Sequence, residues 1–280
     1  MKSQPTLPLP HNQVMPQLGF GTFKLTGEEG TEAIRTALEC GYRHLDTAAM
    51  YANHREAGEG LRRSGVARNE VFITSKVWHD KLHYDGVVDT CLNALEEIGT
   101  KWLDLYLVHW PNEEIPMEET FRAMADLISD GRIRNFGVSN FTVRRLREAL
   151  AETDAPVAVN QVEYHVHLNQ EKLLRFCREN GIRVVAYCPL GSGRLVNDPE
   201  LEAIGKAHGK TAAQTALRWL LQKGISPIPK ATARARIQSN FAVLDWSLSD
   251  DEMRRIDALH RNERICDWDR GGFDADDPAE

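Results

Sequence analysis

Apolar positions along the chain follow two alternating rhythms. Short runs that are wholly apolar or alternate with polar residues are followed by longer stretches with apolar positions three and four apart, several of which stop at a glycine. Ala33, Ile34, Ala37 and Leu38 mark one helical stripe; Gly41 ends it and RHLD (43–46) reads as a strand. The strand VFITSK (71–76) is followed by a helix carrying Cys91, Leu92, Leu95 and Ile98, stopped by Gly99, and then by the strand WLDLYLVH (102–109). Phe121, Met124, Leu127 and Ile128 predict a helix ended by Gly131, ahead of RIRNFGVSN (132–140). The phrase recurs as a helix over 142–151, a strand over 156–163, a helix over 170–180 with Gly181 as its stop, and a strand over 182–189. Two helices come next, the second opened by Thr211 with Gln214 three positions on, a pairing that caps a helix start reciprocally. A strand over 225–229 follows, and Ser249 with Glu252 opens the last helix in the same way.

With MPQLGFGTF (15–23) taken as a first strand and turn, eight strands recur at intervals of roughly 25 to 40 residues, seven of them after a helix. Such alternation predicts an α/β fold with a parallel sheet. An open doubly wound sheet would show a glycine-rich phosphate turn, but neither Gly19–x–Gly21 nor GSGRLV (191–196) carries the third glycine. Eight units favour a closed (β/α)8 TIM barrel of one domain over 1–280, preceded by a polar, proline-rich arm (1–13) and followed by an acidic segment (267–280).

The charge balance narrows the partners. Net charge is −7, of which the segment 267–280, with six acids and one base, supplies −5. No basic face for nucleic acid is evident, no stretch approaches the roughly 20 apolar residues of a membrane span, and the N-terminus lacks the apolar core of a signal peptide. A cytoplasmic location is expected. The five cysteines are widely spaced without a paired motif, which argues against structural zinc and a disulfide framework.

In a barrel of this kind chemistry gathers where strands end, because the following loops converge on one face. The residues there are Asp46 and Tyr51, Lys76 with Trp78, His109 with Trp110, Ser139 with Asn140, Gln161, Tyr187, and Lys230 with Arg236. Taken singly, Lys76 reads as a surface lysine, His109 as a structural histidine, and the tryptophans as rim packing. A tyrosine, a lysine, a histidine and a carboxylate on consecutive loops together form a proton-transfer set without an obvious nucleophile.

GYRHLDTAAMY (41–51), FGVSNF (136–141) and IPKATARARIQSNFAV (228–243) resemble the three signatures of the aldo-keto reductases, and LDLYLVHWP (103–111) and VAVNQVEYH (157–165) are also similar to that family. The resemblance covers nearly the whole chain and is strongest to the bacterial 2,5-diketo-D-gluconate reductase-like members. His54 departs from an acid in the family pattern, Phe136 from an aliphatic residue, and Ala231 from the Ser or Thr that commonly follows the lysine; Thr232 is adjacent and could replace the lost hydroxyl.

The resemblance implies NADPH as cofactor and Tyr51 as proton donor to a carbonyl that receives hydride. Lys76 would lower the phenol's pKa, Asp46 would hold the lysine, and His109 would orient the carbonyl oxygen. Ser139, Asn140 and Gln161 would clamp the nicotinamide amide and Tyr187 would stack on the ring. Gly21, Thr22 and Phe23, the run Cys188, Pro189, Leu190, Gly191 and Ser192, and Ala231, Thr232, Ser239 and Asn240 would line the rest of the cofactor groove. Lys230 and Arg236 would meet a 2′-phosphate, giving NADPH preference over NADH. Phe23, Ala48, Trp78, His109, Trp110 and Trp268, with Phe273, would wall the pocket for a small carbonyl compound, and the short segment between Trp110 and Phe121 leaves that pocket open to several substrates. The resemblance also leans towards a monomer.

Two other readings compete with this one. His165 and His167 form an H-x-H after a strand, a spacing used by metal-dependent barrel hydrolases, but no further His and Asp set completes a metal shell, and no metal is expected. A regulatory dinucleotide sensor without activity would be expected to have lost part of the proton-transfer set, which is complete here.

Overall fold

The computed structural model describes residues 4–266. Its eight central strands are β3 (Phe20–Gly21), β4 (His44–Asp46), β5 (Phe72–Val77), β6 (Leu105–Val108), β7 (Phe136–Ser139), β8 (Val159–Glu163), β9 (Arg183–Tyr187) and β10 (Ser226–Pro227). Each pairs in parallel with the next in chain order. The ends of this sheet meet: Gly19 N donates to Pro227 O at 3.0 Å and Gly21 N to Pro229 O at 3.2 Å. The sheet is therefore a closed (β/α)8 barrel. Glycine is needed at this seam, since a Cβ on residue 21 would lie 2.8 Å from the carbonyl oxygen of Ile228.

Side chains alternate across the barrel wall, as the two-residue period of a strand requires. Leu105, Leu107, Val159, Val185 and Ile228 form an interior cluster, whereas Tyr106, Val108, Val184 and Ala186 pack outward in the larger core beneath the helices. The outer ring contains α1 (Gly27–Cys40), α2 (His54–Ser64), α3 (Tyr84–Ile98), α4 (Met117–Ser129), α5 (Val143–Ala151), α6 (Glu171–Glu179), α7 (Pro199–Ala207), α8 (Ala212–Gln222), α9 (Arg234–Phe241) and α10 (Asp250–Asp257). Gly41, Gly99, Gly131 and Gly181 all adopt positive φ and stop helices as expected. The reciprocal caps form at Thr211 with Gln214 and at Ser249 with Glu252.

Three elements differ from the sequence expectation. The stretch expected as an N-terminal arm (1–13) contributes to a hairpin: β1 (Thr6–Pro8) pairs antiparallel with β2 (Val14–Pro16). The turn between them has His11 and Asn12 both at positive φ, the geometry that suits the twist of a tight hairpin. Its Met15 is fully buried with Leu9 against the interior cluster, so the hairpin plugs the barrel. The helix α2 escapes the periodicity because HREAGEGLRRS contains few large apolar residues. Its Gly60 leaves room where a Cβ would come within 2.7 Å of Ile34 Cγ2 on α1, so close packing of helices replaces a side-chain stripe. The helix α9 shows no apolar stripe in the sequence, because its buried positions are only Ile237 and Asn240. No helix among the described residues is long and apolar enough to cross a membrane.

Candidate active site

Asp46 ends β4 and Lys76 lies on β5 three residues beyond Ile73, which the register pairs with Leu45. Both side chains point into the barrel and are essentially inaccessible to water. The ammonium of Lys76 has three N–H groups and meets three acceptors: Asp46 Oδ1 at 2.5 Å, the Thr47 carbonyl at 2.9 Å and the Tyr51 hydroxyl oxygen at 3.4 Å. Asp46 Oδ2 accepts from Gln161 Nε2 at 2.6 Å. A charged pair removed from water is tolerated because these bonds satisfy both partners. Burial pushes the Lys76 pKa down, but Asp46 and Tyr51 push it up further, leaving it above the ordinary lysine value.

Tyr51 is carried on a short 3-10 turn (Ala49–Tyr51) and aims its hydroxyl at Lys76. Its ring is half-buried between Phe23, with centroids 5.0 Å apart, and His109, at 5.6 Å. The net pKa shift of the phenol is upward, opposite to the expected lowering: burial raises it most, and the pull of Lys76 offsets only part of that rise. The imidazole of His109 lies at the end of β6, edge-on to Trp78 with centroids 5.0 Å apart. Burial first, then the positive charge of Lys76, hold His109 well below the usual histidine range, so it is neutral near pH 7.

The neighbouring amides are interlocked with this group. Ser139 Oγ donates to the Gln161 carbonyl at 2.8 Å; Asn140 Nδ2 donates to the His109 carbonyl at 3.0 Å and to Ser139 Oγ at 3.1 Å. Tyr187, half-buried at the end of β9, donates its hydroxyl to Asn140 Oδ1 at 2.7 Å. Thr22 Oγ1 donates to the Asp46 carbonyl at 3.0 Å, linking the loop after β3 to the acid. Seven of the strand-end candidates, Asp46, Lys76, His109, Ser139, Asn140, Gln161 and Tyr187, thus join Tyr51 in one continuous network, with Ser139 as the link between Gln161 and Asn140.

The remaining candidates lie around this network. Phe23 is 45% exposed beside Tyr51, Ala48 is buried, and Trp110 is 8% exposed. Cys188 and Leu190 are half-buried and Ser192 is exposed, whereas Pro189 and Gly191 are buried. Lys230, Thr232 and Arg236 are all exposed after the β10 strand, beside buried Ala231 and Asn240 and half-buried Ser239. Trp268 and Phe273 lie outside the described residues.

A family model, the Aldo/keto reductase family, matches residues 17–261. The chain belongs to the aldo/keto reductase family. It is 43% identical over 257 residues to a glyoxal reductase from Bacillus subtilis (strain 168), covering 91% of this chain and 93% of that protein. Among solved structures it superposes on a putative 2,5-diketo-D-gluconic acid reductase B with TM-score 0.89 and 40% identity, over 91% of this chain and 92% of the other. An aldo-keto reductase from Bombyx mori, solved in complex with NADP, superposes with TM-score 0.89 and 31% identity, over 95% and 96% of the two chains. As a member of this family the protein is an oxidoreductase.

Against the aldo/keto reductase signatures, the departures find structural roles. His54 is buried, with Nε2 2.9 Å from Ser75 Oγ and Nδ1 3.2 Å from Glu97 Oε2, so it fastens α2 to β5 and α3. Phe136 packs on Phe121 with centroids 5.6 Å apart. The H-x-H histidines are divided between carboxylates: His165 Nε2 lies 2.9 Å from Glu163 Oε1, and His167 Nε2 lies 3.2 Å from Asp198 Oδ2. No group of three or more metal-ligating side chains occurs among the described residues.

Two residues that brace the loops of this site are not among the candidates read from the sequence. Asn53 is fully buried; its Nδ2 donates to the carbonyls of Thr22 at 2.7 Å and Leu25 at 2.9 Å, and its Oδ1 accepts from Thr47 Oγ1 at 2.9 Å. It braces the two loops that carry Phe23 and Thr47. Glu163 is the other, and accepts the backbone N–H groups of Ile265 at 2.8 Å and Cys266 at 2.7 Å, fastening residues 265 and 266 to the end of β8. Position relative to strand ends was the available signal for Glu163, which directly follows β8's apolar Val162; Asn53 offered only its place just before an unrecognised helix.

Proposed function

We propose that this protein reduces small aldehydes and ketones to alcohols with NADPH, with Tyr51 as the proton donor. The observation that carries the reading is the saturated Lys76 ammonium, whose third N–H is directed at the Tyr51 oxygen 3.4 Å away. Because the phenol oxygen accepts from the lysine, its own O–H is left to donate towards the pocket. The upward shift of its pKa keeps Tyr51 protonated near pH 7, the form that a donor requires, while the adjacent ammonium stabilises the phenolate left after transfer. Neutral His109 is suited to hydrogen-bond a carbonyl oxygen without competing for the proton.

The donor set fits a nicotinamide dinucleotide. Ser139, Asn140 and Gln161 offer amide and hydroxyl groups that suit the carboxamide, and Tyr187 offers an aromatic face that its bond to Asn140 keeps in orientation. Exposed Lys230 and Arg236 suit a phosphate, the lysine as a point charge and the arginine as a planar fork. When bound, the cofactor supplies hydride to the carbonyl carbon. The protein's own part is to hold both reactants in contact geometry and to deliver the proton.

By likeness to the glyoxal reductase and the diketogluconate reductase-like structure, the substrates are small: dicarbonyls such as methylglyoxal, keto sugars or keto acids, and aromatic aldehydes. The half-exposed aromatic rim formed by Phe23 and Trp78 favours a broad range. The reading also takes the protein to act as a cytoplasmic monomer. Oxidation of NADPH with methylglyoxal, diketogluconate and a nitrobenzaldehyde tests it, run beside Tyr51→Phe. Turnover that disappears in the variant while NADPH binding survives supports the reading; tight NADPH binding with no turnover of any carbonyl overturns it in favour of a regulatory dinucleotide sensor.

A further inference from the structure

The segment 261–266 is stitched across the rim of the barrel by four backbone bonds. Arg261 N and Glu263 N donate to the His167 carbonyl at 3.1 Å and 3.0 Å, and Ile265 N and Cys266 N donate to the buried Glu163 carboxylate. His165 adds a third contact to that carboxylate. Held in this way, Cys266 places its sulfur 3.6 Å from the sulfur of Cys188. Cys188 directly follows Tyr187, adopts a left-handed φ of 48°, and has its sulfur 3.7 Å from Ser192 Oγ. Both thiols are half-buried and both are reduced.

We propose that Cys188 and Cys266 are an oxidation site, whose reversible disulfide staples the segment 261–266 to the loop 187–192 and slows exchange of the bound dinucleotide. The disulfide itself rests on the thiol geometry; the effect on exchange rests on the NADPH reading above. A disulfide needs its sulfurs about 2.05 Å apart. Linkage therefore closes the present separation of 3.6 Å by about 1.5 Å.

The chemistry balances with a hydroperoxide as oxidant. The Cys188 thiolate attacks the terminal peroxide oxygen, the O–O bond breaks, and an alcohol or water leaves while Cys188 becomes a sulfenic acid. The Cys266 sulfur then attacks the Cys188 sulfur, the S–O bond breaks, and water leaves. Two electrons pass from the sulfurs to the peroxide, and the two thiol protons end on the departing oxygens. Roles follow from placement: Cys188, with its sulfur 3.7 Å from the Ser192 hydroxyl, makes the first attack, and Cys266, held 3.6 Å away by the bond of its backbone N–H to Glu163, resolves the sulfenic acid. Burial raises the thiols of Cys40, Cys91 and Cys177, which leaves them poor competitors.

The test treats the full chain with hydrogen peroxide, alkylates remaining thiols and maps peptides by mass spectrometry, alongside Cys266→Ser and Cys40→Ser. The expected result is a linked Cys188–Cys266 peptide pair two hydrogens lighter than its parts, reversed by dithiothreitol, retained in Cys40→Ser and absent from Cys266→Ser. In Cys266→Ser the Cys188 sulfenic acid accumulates and is trapped by dimedone. NADPH dissociation, followed by protein fluorescence, slows in the linked protein and recovers on reduction. Separate over-oxidation of the two thiols without linkage overturns the proposal, as does linkage with unchanged NADPH dissociation. The mass measurement does not depend on cofactor binding, so a chain that links its thiols yet ignores NADPH fails the functional reading and not the disulfide.

Discussion

Tyr51 and Lys76 divide the proton transfer between an acid and a fixed charge, and each makes a different prediction. Removing the phenolic hydroxyl in Tyr51→Phe deletes the donor and leaves the ring's contacts with Phe23 and His109 in place. Carbonyl reduction is expected to fall by about a hundred- to ten-thousand-fold, the usual worth of a positioned general acid, with NADPH affinity retained. The same pair sets the pH profile. Both groups have folded pKa values above their ordinary ones, so the protonated phenol and the ammonium persist through neutrality. The reduction rate is expected to be level between about pH 6 and 9 and to fall only near or above the ordinary tyrosine value of about 10. A fall centred near pH 7 in the rate of the chemical step, read from single-turnover reduction, would count against Tyr51 as donor. At the cofactor's far end, Arg236→Ala should raise the KM for NADPH by roughly ten- to a hundred-fold and leave that for NADH unchanged, because the fork serves only the extra phosphate. Equal losses with both cofactors would place Arg236 elsewhere.

Among the elements, α2 shows what a hydrophobic pattern conceals. A helix packed through glycine has no stripe of large side chains to reveal it, and Gly60 is where α2 approaches α1. Gly60→Ala puts a methyl group 2.7 Å from Ile34 Cγ2 and 3.0 Å from the Thr31 carbonyl. The cost of overpacking is expected to exceed the helix-propensity gain of alanine, giving a net loss of about 1–2 kcal/mol in urea unfolding. An unchanged midpoint would show that α1 and α2 separate freely. The other elements were legible to the degree that their signals were local. Strands such as Leu105–Val108 combine apolar run and β-branched or aromatic content, and the caps at Thr211 and Ser249 are spelled out in four residues. The N-terminal hairpin was hidden because its burial is non-local: Met15 is covered by strands more than fifty residues away. The same distinction separates the site residues. Asp46, Lys76 and His109 could be read from strand ends and family motifs, whereas Glu163 and Asn53 act on backbone groups of other segments, which no spacing in one sequence displays.

At the scale of the whole barrel, the buried histidines govern how the fold responds to acid. His44 contacts Thr74 Oγ1 at 3.1 Å inside the fold, and burial holds its pKa down at about 4. His54 and His109 are shifted in the same direction, again chiefly by burial. Above about pH 6.5, the ordinary histidine value, these groups are neutral in both folded and unfolded chains and impose no penalty. As pH falls from there towards about 4, the unfolded chain takes up protons that the folded chain refuses, so stability declines across that window. His44 alone accounts for about 2 kcal/mol of loss by pH 5, at about 1.4 kcal/mol per pH unit below its unfolded value. A surface ion pair such as Arg63 with Glu59 does not mimic this: the arginine bonds hold the Glu59 carboxylate down at about 2, so its contribution is lost only as pH falls through the ordinary carboxylate value of about 4.5 towards 2, and it responds to salt. Denaturant unfolding at pH 7.5, 6 and 5, repeated with added sodium chloride, should therefore show a stepwise loss that salt does not abolish. Stability that stays level from pH 7.5 to 5 would mean that the barrel opens enough to hydrate His44, and with it the wall of β4 that fixes Asp46 beneath Tyr51.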